Sequence, residues 1–146
     1  MVNSINIRVA TSVDLSAVAD IARSCFDDYS ADDYLKMSID SNYEFVVAEK
    51  NGIIMGYLIY LKIDDKLEII KIATGEDFKR QGVATSLISY MKDQGLKNHH
   101  TGIILEVNEF NVAARHLYEK IGFKQIYIRK KYYHGTDDAI IMELIF

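Results

Sequence analysis

The sequence predicts a mixed α/β (α+β) fold in one domain over residues 1–146. Segments rich in β-branched and aromatic residues, as strands are, alternate with segments whose apolar residues recur every three or four positions, as in amphipathic helices. With 146 residues, of which 49% are hydrophobic and 26% charged, the chain has the length and composition of a single globular domain with its own core.

The predicted elements follow the order β-α-α-β-β-β-α-β-α-β-β. Asn51-Gly52 favours a tight hairpin because both central residues of a type I′ turn need positive φ, while Asn111 and Gly122 suit the start and end of a helix. The strands are predicted at 5–9, 45–48, 53–63, 67–73, 103–107, 123–133 and 139–145, and the helices from Thr11 or Ser12, over 31–38, over 83–96, and between Asn111 and Gly122. The apolar side of the first helix is expected to hold Val13, Ala17, Ala19, Ile21, Ala22 and Cys25.

Charge and composition exclude several classes of function. A formal net charge of −4 argues against a non-specific nucleic-acid or membrane-surface binder, which needs clustered basic charge. The dense basic run 129–131 is interpreted as a solvated strand face. A lone cysteine, Cys25, excludes an intrachain disulfide and fits a reducing cytoplasm, and the four histidines lack metal-ligand spacing. We therefore expect a cytoplasmic protein without a metal site, a nucleic-acid partner or a membrane span.

The loop between the predicted fourth strand and third helix carries the sequence Lys79-Arg80-Gln81-Gly82-Val83-Ala84. A strand that leads through a small-residue loop into a helix builds an anion site, because unpaired N–H groups and the positive end of the helix dipole converge there. Gly82 and Ala84 keep the approach to the main chain clear. The loop predicts a pyrophosphate cradle; a plain turn with two solvated cations is the alternative.

Further motifs follow at fixed distances from this loop. They are 105–111 (LEVNEFN), 117–123 (LYEKIGF), 128–133 (IRKKYY) and 138–142 (DAIIM). With the cradle, they make the chain resemble the GNAT superfamily of acyl-CoA-dependent N-acetyltransferases over essentially its whole length, and the tail is similar to the RimI- and Ard1-type N-terminal acetyltransferases. The family's cradle begins with Gln or Arg, where this chain has Lys79. The resemblance implies a sheet of about seven strands, splayed between strands four and five, with about four helices.

The resemblance also implies acetyl-CoA as cosubstrate. Its pantetheine arm would pair with the open edge of the fourth strand, along Ile72, Ala73 and Thr74. The pyrophosphate would rest on the loop and helix start, formed by Lys79, Arg80, Gln81, Gly82, Val83, Ala84 and Thr85. Asn111 would touch the pantetheine or adenine end, although helix capping alone also explains an asparagine there.

Two side chains match the family's catalytic positions. Glu106 would be the general base, acting directly or through water, and Tyr118 would protonate the sulfur of CoA. The residues themselves leave a second interpretation open in each case: Glu106 as a solvated carboxylate on the strand face opposite to Leu105, and Tyr118 as a packing residue. The oxyanion would be held by a main-chain N–H near Ala73.

For the acceptor, the resemblance implies the N-terminal α-amine of a protein or peptide, such as a ribosomal protein that starts with alanine. Tyr132 and Tyr133 would line the peptide groove, or serve only as sheet packing. The acidic stretch from Asp27-Asp28 to Asp32-Asp33 could favour a basic substrate, or cap a helix. A small amine as acceptor and a non-catalytic acyl-CoA-binding module are the alternative functions, and a monomer or homodimer is expected.

Overall fold

Seven strands of the described part of the chain form one mixed sheet. The fold is given by a computed structural model, which describes residues 4–25 and 30–146; Asp27 and Asp28 lie outside them. The strands are β1 (Asn6–Val9), β2 (Tyr43–Lys50), β3 (Ile53–Ile63), β4 (Lys66–Thr74), β5 (Gly102–Asn108), β6 (Lys124–Tyr133) and β7 (Asp137–Ile145). The α-helices are α1 (Leu15–Cys25), α2 (Ala31–Ile39), α3 (Val83–Lys97) and α4 (Val112–Ile121). The spatial order of the strands is β1-β2-β3-β4-β5-β7-β6.

Tight hairpins join neighbouring strands at both ends of the sheet. Asn51 and Gly52 take φ values of 53° and 80° between β2 and β3, and His134 and Gly135 take 55° and 71° between β6 and β7. Positive φ at both central residues is what a type I′ turn requires; the β2–β3 loop has two residues and the β6–β7 loop has three. The predicted element order and the Asn51-Gly52 hairpin are confirmed.

The parallel pairing of β4 with β5 is short. It comprises three residue pairs, Lys66 with Gly102, Leu67 with Ile103, and Glu68 with Ile104. Beyond Glu68, β4 continues to pair with β3, and β5 with β7. The two strands therefore separate and leave a gap in the middle of the sheet, as the resemblance implied.

Hydrophobic residues cover both faces of the sheet. On one face, α3 and α4 bury a cluster that includes Leu87, Met91, Leu105 and Tyr118. On the other face, α1 and α2 bury a smaller cluster around Val18 and the N-terminal half of the sheet. We call these the α3 face and the α1 face. None of the helices described over residues 4–25 and 30–146 has the length and apolar character to cross a membrane.

The start of the first helix differs from the prediction. A 3-10 turn, Ser12–Asp14, precedes α1, and the buried Asp14 accepts hydrogen bonds from Arg8 at 2.7 and 2.9 Å. Val13 is 84% exposed and Cys25 is exposed, so their predicted place on the apolar side is wrong. Val18 is buried instead, on one stripe with the predicted Ile21 and Ala22, which follow it at helical spacing.

Candidate active site

The gap between β4 and β5 exposes an edge of backbone in the middle of the sheet. Ile72, Ala73 and Thr74 lie on β4 beyond its last pair with β5, and they pair on their other side with Leu58, Tyr57 and Gly56 of β3. An unpaired strand edge presents N–H and C=O groups that an extended molecule can bind by strand addition. The predicted cofactor-binding residues of β4 thus lie at the open edge.

A β-bulge interrupts β4 next to this edge. The register passes from Tyr60–Ile69 to Ile59–Lys71, so Ile70 is the extra residue. Ile69 packs in the cluster of the α3 face, while Ile70 and Ala73 pack on the α1 face. A bulge twists a strand and re-aims the backbone that follows, so it orients the segment that borders the gap. Sequence reasoning missed it because no glycine marks it.

Gly56 fixes the distance between β3, β4 and the start of α3. A Cβ atom at Gly56 would lie 2.6 Å from the carbonyl oxygen of Ala73 and 2.8 Å from Cγ1 of Val83. Glycine is therefore required here by close approach. Sequence reasoning also missed this residue, although a glycine inside a strand pattern is the signal for such an approach.

The predicted cradle lies at the end of β4 that opens into the gap. Arg80 and Gly82 adopt left-handed conformations, with φ of 65° and 81°, and α3 begins directly after them at Val83. The first N–H groups of a helix have no partner within it. A Cβ at Gly82 would meet no atom within 4 Å, so the space beside Gly82 is open. The cradle therefore fits an anionic group such as a diphosphate.

The side chains around the cradle are exposed and polar. Lys79 pairs with Glu76 at 3.3 Å, and the Gln81 amide donates to the carbonyl oxygen of Asp77 at 3.3 Å. Arg80 and Thr85 are exposed, whereas Ala84 is half-buried. Positive charge thus lies beside the helix N-terminus, as predicted, but part of the Lys79 charge is already neutralised by Glu76.

Asn111 caps the last helix. Its side-chain oxygen accepts a hydrogen bond from the N–H of Ala114 at 3.2 Å. The capping role inferred from the sequence is confirmed. The side chain is exposed, so contact with a cofactor stays a prediction.

Glu106 lies on the α1 face of β5, opposite to the buried Leu105 and Val107. Its side chain is 26% exposed, and Oε1 lies 3.0 Å from Nη1 of Arg129 on β6. The carboxylate is therefore paired, which differs from the solvated alternative. Arg129, which the sequence analysis interpreted as part of a solvated face, is half exposed and points toward the candidate base.

Tyr118, on α4, lies in the cluster of the α3 face. Its ring is buried in edge-to-face contact with Phe123, with 5.7 Å between ring centroids. The hydroxyl makes no hydrogen bond to any residue in the described part of the chain. Burial raises the pKa of Tyr118 to about 12, so the phenol stays protonated at neutral pH.

The raised pKa changes the expected role of Tyr118. Burial disfavours the charged phenolate, so complete proton transfer from Tyr118 to a thiolate is less favourable than from an exposed tyrosine. The sequence argument used the ordinary pKa of about 10, which made the same transfer only mildly uphill. A hydrogen bond from the phenol to the sulfur, rather than complete proton transfer, therefore suits this side chain best.

The two predicted substrate tyrosines lie beside the Glu106–Arg129 pair. Tyr132 and Tyr133 make an edge-to-face contact with centroids 5.2 Å apart, and the Arg129 guanidinium lies 5.3 Å from the Tyr132 ring centroid. Burial and the negative charge of Glu106 raise the pKa of Tyr133. Tyr132 is 50% exposed. The structure thus brings both tyrosines together with the candidate base.

Glu68 is a charged residue of this site that sequence reasoning missed. It is half-buried on β4 at the last residue pair before the gap, and its carboxylate makes no hydrogen bond or ion pair to another residue within 4–25 and 30–146. Burial, and secondarily the charge of Glu106, raise its pKa, while Arg129 opposes the shift. The proximity arises across strands, so no local pattern signals it.

A mixed sheet with a gap between two parallel strands, and an anion cradle at the N-terminus of the helix beside that gap, are typical of α/β proteins that bind an extended anionic ligand. Comparison with known proteins identifies the family. A family profile described as "Acetyltransferase (GNAT) family" matches residues 15–123. The chain belongs to this family.

Among known relatives, the chain is 37% identical over 98 residues to the [ribosomal protein bS18]-alanine N-acetyltransferase of Escherichia coli K12. The match covers 65% of this chain and 66% of that enzyme's length. The crystal structure of the E. coli ribosomal-protein-S18-alanine N-acetyltransferase superposes with a TM-score of 0.87 at 29% identity, covering 97% of this chain and 94% of the other.

Solved structures from other organisms share the fold. Ard1 from Thermoplasma volcanium superposes with a TM-score of 0.87 at 25% identity, covering 97% of each chain. A Bacillus anthracis protein solved in complex with acetyl coenzyme A reaches a TM-score of 0.83 at 22% identity, covering 98% of this chain and 100% of the other. The fold class expected from the sequence is confirmed.

Proposed function

We propose that this protein is an acetyl-CoA-dependent N-acetyltransferase that acetylates the N-terminal α-amine of a protein or peptide. The observation that carries the proposal is the placement of an anion cradle at the end of β4, directly beside the gap that leaves β4 without a partner. A long molecule with a diphosphate at one end and amide groups along its arm matches both features. The protein would act as one domain over residues 1–146 in the cytoplasm, as a monomer or homodimer, without a nucleic-acid partner.

The backbone and the cradle would bind the cosubstrate. The main chain of Ile72, Ala73 and Thr74 would pair with the pantetheine arm, and the N–H groups at the start of α3 would hold the diphosphate. The loop and helix start that would form this cradle are Lys79, Arg80, Gln81, Gly82, Val83, Ala84 and Thr85. Asn111 would touch the pantetheine or adenine end of the cosubstrate. Acetyl-CoA supplies an acetyl group activated as a thioester.

Residues from both faces of the sheet would serve the transfer. Glu106, on the α1 face, would accept the proton that the amine must lose. Tyr118, on the α3 face, would donate a hydrogen bond to the departing sulfur. A main-chain N–H near Ala73 would stabilise the negative charge that develops on the acetyl oxygen. The gap between β4 and β5 is where groups from both faces can contact one molecule.

An N-terminal α-amine suits this site better than a lysine side chain. Deprotonating an α-amine of pKa about 8 costs about 3 kcal/mol less at neutral pH than deprotonating a lysine of pKa about 10.4. A carboxylate base is therefore sufficient. Tyr132 and Tyr133 beside Glu106 would contact the first residues of the peptide. The E. coli relative, named for the N-terminal alanine of bS18, favours a peptide that begins with alanine.

A panel of acceptors tests the proposal. Purified protein with acetyl-CoA is offered peptides that begin with Ala, Ser or Met, alongside spermidine, an aminoglycoside and free lysine, and thiol release is followed. We expect turnover of at least one peptide, with acetylation mapped to the α-amine by mass spectrometry. Activity confined to the small amines would overturn the peptide assignment, and no activity with any amine would overturn the enzyme assignment.

A further inference from the structure

A wide bulge interrupts the pairing of β6 with β7 next to the candidate site. Regular pairing stops at Arg129 and resumes at Tyr133, and the residues between them, 130–132, lie opposite a single residue of β7, Asp138. Within the bulge, Lys131 has a φ of 52°. A left-handed conformation is uncommon for a residue other than glycine, and such backbone strain concentrates at functional sites. Bulges also re-aim the side chains around them, so this one calls for an account of what holds it.

The carboxylate of Asp138 holds the bulge from the opposite strand. Its Oδ1 accepts a hydrogen bond from the backbone N–H of Lys131 at 2.8 Å, and its Oδ2 accepts one from Nζ of Lys130 at 3.4 Å. The backbone hydrogen bond is also the main cause that lowers the pKa of Asp138, so the group is a carboxylate at neutral pH. Since a bulged residue loses its partner in the strand ladder, Asp138 supplies the acceptor that the Lys131 N–H would otherwise lack.

Glu109 in turn holds Asp138. Its Oε2 accepts a hydrogen bond from the N–H of Asp138 at 2.7 Å, and its own N–H donates to the carbonyl oxygen of Asp138 at 3.0 Å. Glu109 directly follows β5, the strand that carries the candidate base Glu106. A continuous set of hydrogen bonds therefore runs from the end of β5 through Asp138 to the backbone of Lys131.

Side chains of the candidate acceptor site lie on and beside the bulge. Arg129, directly before it, has its Nη1 3.0 Å from Oε1 of Glu106. Tyr132 belongs to the bulge, and its ring lies 5.3 Å from the Arg129 guanidinium and 5.2 Å from the ring of Tyr133. A change in the backbone of the bulge would therefore displace the surface that the first residues of a peptide are proposed to contact.

We propose that Asp138 is a positioning residue that fixes this bulge and thereby gives the site its preference for peptides over smaller amines. The inference rests on the proposed acetylation of peptide N-termini and adds a determinant of acceptor specificity. Asp138 acts through the backbone of Lys131 and takes no part in proton transfer. Loss of its carboxylate should therefore weaken a peptide that extends along Tyr132, and leave a single-residue amine nearly unaffected.

Four variants separate the parts of this arrangement. Asp138→Ala removes the acceptor for the Lys131 N–H, whereas Asp138→Asn removes the charge and keeps an oxygen that can accept the same bond. Lys130→Ala is the matched control, because it removes the ion pair with Asp138 and leaves the backbone hydrogen bond in place. Glu109→Ala removes the acceptor for the Asp138 N–H, and it decides the question should Asp138→Ala not fold.

The experiment compares two acceptors, the best peptide of the acceptor panel and the amide of its first residue alone. Misplacement of a binding surface by about 1 Å costs up to about 100-fold in efficiency, so we expect Asp138→Ala to raise the peptide KM by about tenfold or more. The kcat/KM of the short amide and the KM for acetyl-CoA should stay within about threefold of the wild type. Asp138→Asn and Lys130→Ala should behave as the wild type, and Glu109→Ala should show the same selective loss as Asp138→Ala.

The outcomes distinguish a failure of this inference from a failure of the proposed function. An unchanged peptide KM in Asp138→Ala, or an equal loss with peptide and short amide, overturns the role of Asp138 and leaves the proposed function intact. Asp138→Asn as impaired as Asp138→Ala would assign the effect to charge rather than to the bond with Lys131, and would also overturn the inference. A wild type that acetylates no peptide overturns the proposed function and the inference with it.

Discussion

Gly56 is the residue where a single added carbon should affect both stability and cofactor binding. In Gly56→Ala, the new Cβ would lie 2.6 Å from the carbonyl oxygen of Ala73, and an ordinary contact begins at 3.4 Å. Relief of this clash requires a displacement of about 0.8 Å between β3 and β4. Overpacking of this kind costs about 1–3 kcal/mol of unfolding free energy. The displaced segment, Ala73 and Thr74, is the one proposed to bind the pantetheine arm.

Urea unfolding and steady-state kinetics measure the two effects of this substitution. A displacement near 1 Å lowers catalytic efficiency by up to about 100-fold, so we expect kcat/KM for acetyl-CoA to fall by about 10- to 100-fold. Gly52→Ala is the control: its φ of 80° makes alanine strained, but its Cβ meets no atom within 4 Å. This control should lose stability without losing acetyl-CoA efficiency. Wild-type values of stability and efficiency in Gly56→Ala would refute the reasoning.

Three further variants test single groups. Tyr118→Phe should lower kcat by about 10- to 100-fold through loss of the hydrogen bond to sulfur, at unchanged acetyl-CoA affinity; an unchanged kcat would exclude that role. Glu106→Gln should lower kcat and remove the limb of the pH–rate profile that reports the ionisation of the base. A variant with the pH–rate profile of the wild type would refute the base assignment. Asp14→Asn should cost about 2 kcal/mol of stability at pH 7, because the hydrogen bonds from Arg8 lower the pKa of Asp14 from 3.8 to about 2. Since the folded-state pKa is depressed, this stabilisation is present above pH 3.8 and is lost as the pH falls toward 2. The unfolding free energies of the two proteins, measured in urea, should therefore converge in acid. A difference that stays constant with pH would contradict this reasoning.

Local patterns were sufficient to predict most elements of this fold. Asn51-Gly52 defined a hairpin through the φ values that its turn requires, and Asn111 and Gly122 marked the ends of α4. These signals act within a few residues of chain, so the sequence carries them directly. Val13 was misplaced because it lies in a 3-10 turn, Ser12–Asp14, rather than in the α-helix, and no residue type in that stretch indicates such a turn.

The site was predictable only in part. The cradle around Gly82 depends on consecutive residues and was found from the sequence, whereas the gap beside it was expected from the family resemblance alone. The pairing of Glu106 with Arg129 joins residues 23 positions apart on different strands. Glu68, likewise, becomes informative only once its neighbour across the gap is known. Contacts that depend on the sheet register leave no local trace in a sequence.

The three residue pairs between β4 and β5 have a mechanical consequence for the protein. They are the only strand-to-strand link within the described sheet between its β1–β4 part and its β5–β7 part. A ligand inserted into the gap would act as an additional strand that ties the two parts together. The amide hydrogens at the open edge of β4 should then exchange with solvent rapidly in the free protein and slowly once the gap is filled, which would make hydrogen exchange a direct reporter of cosubstrate occupancy.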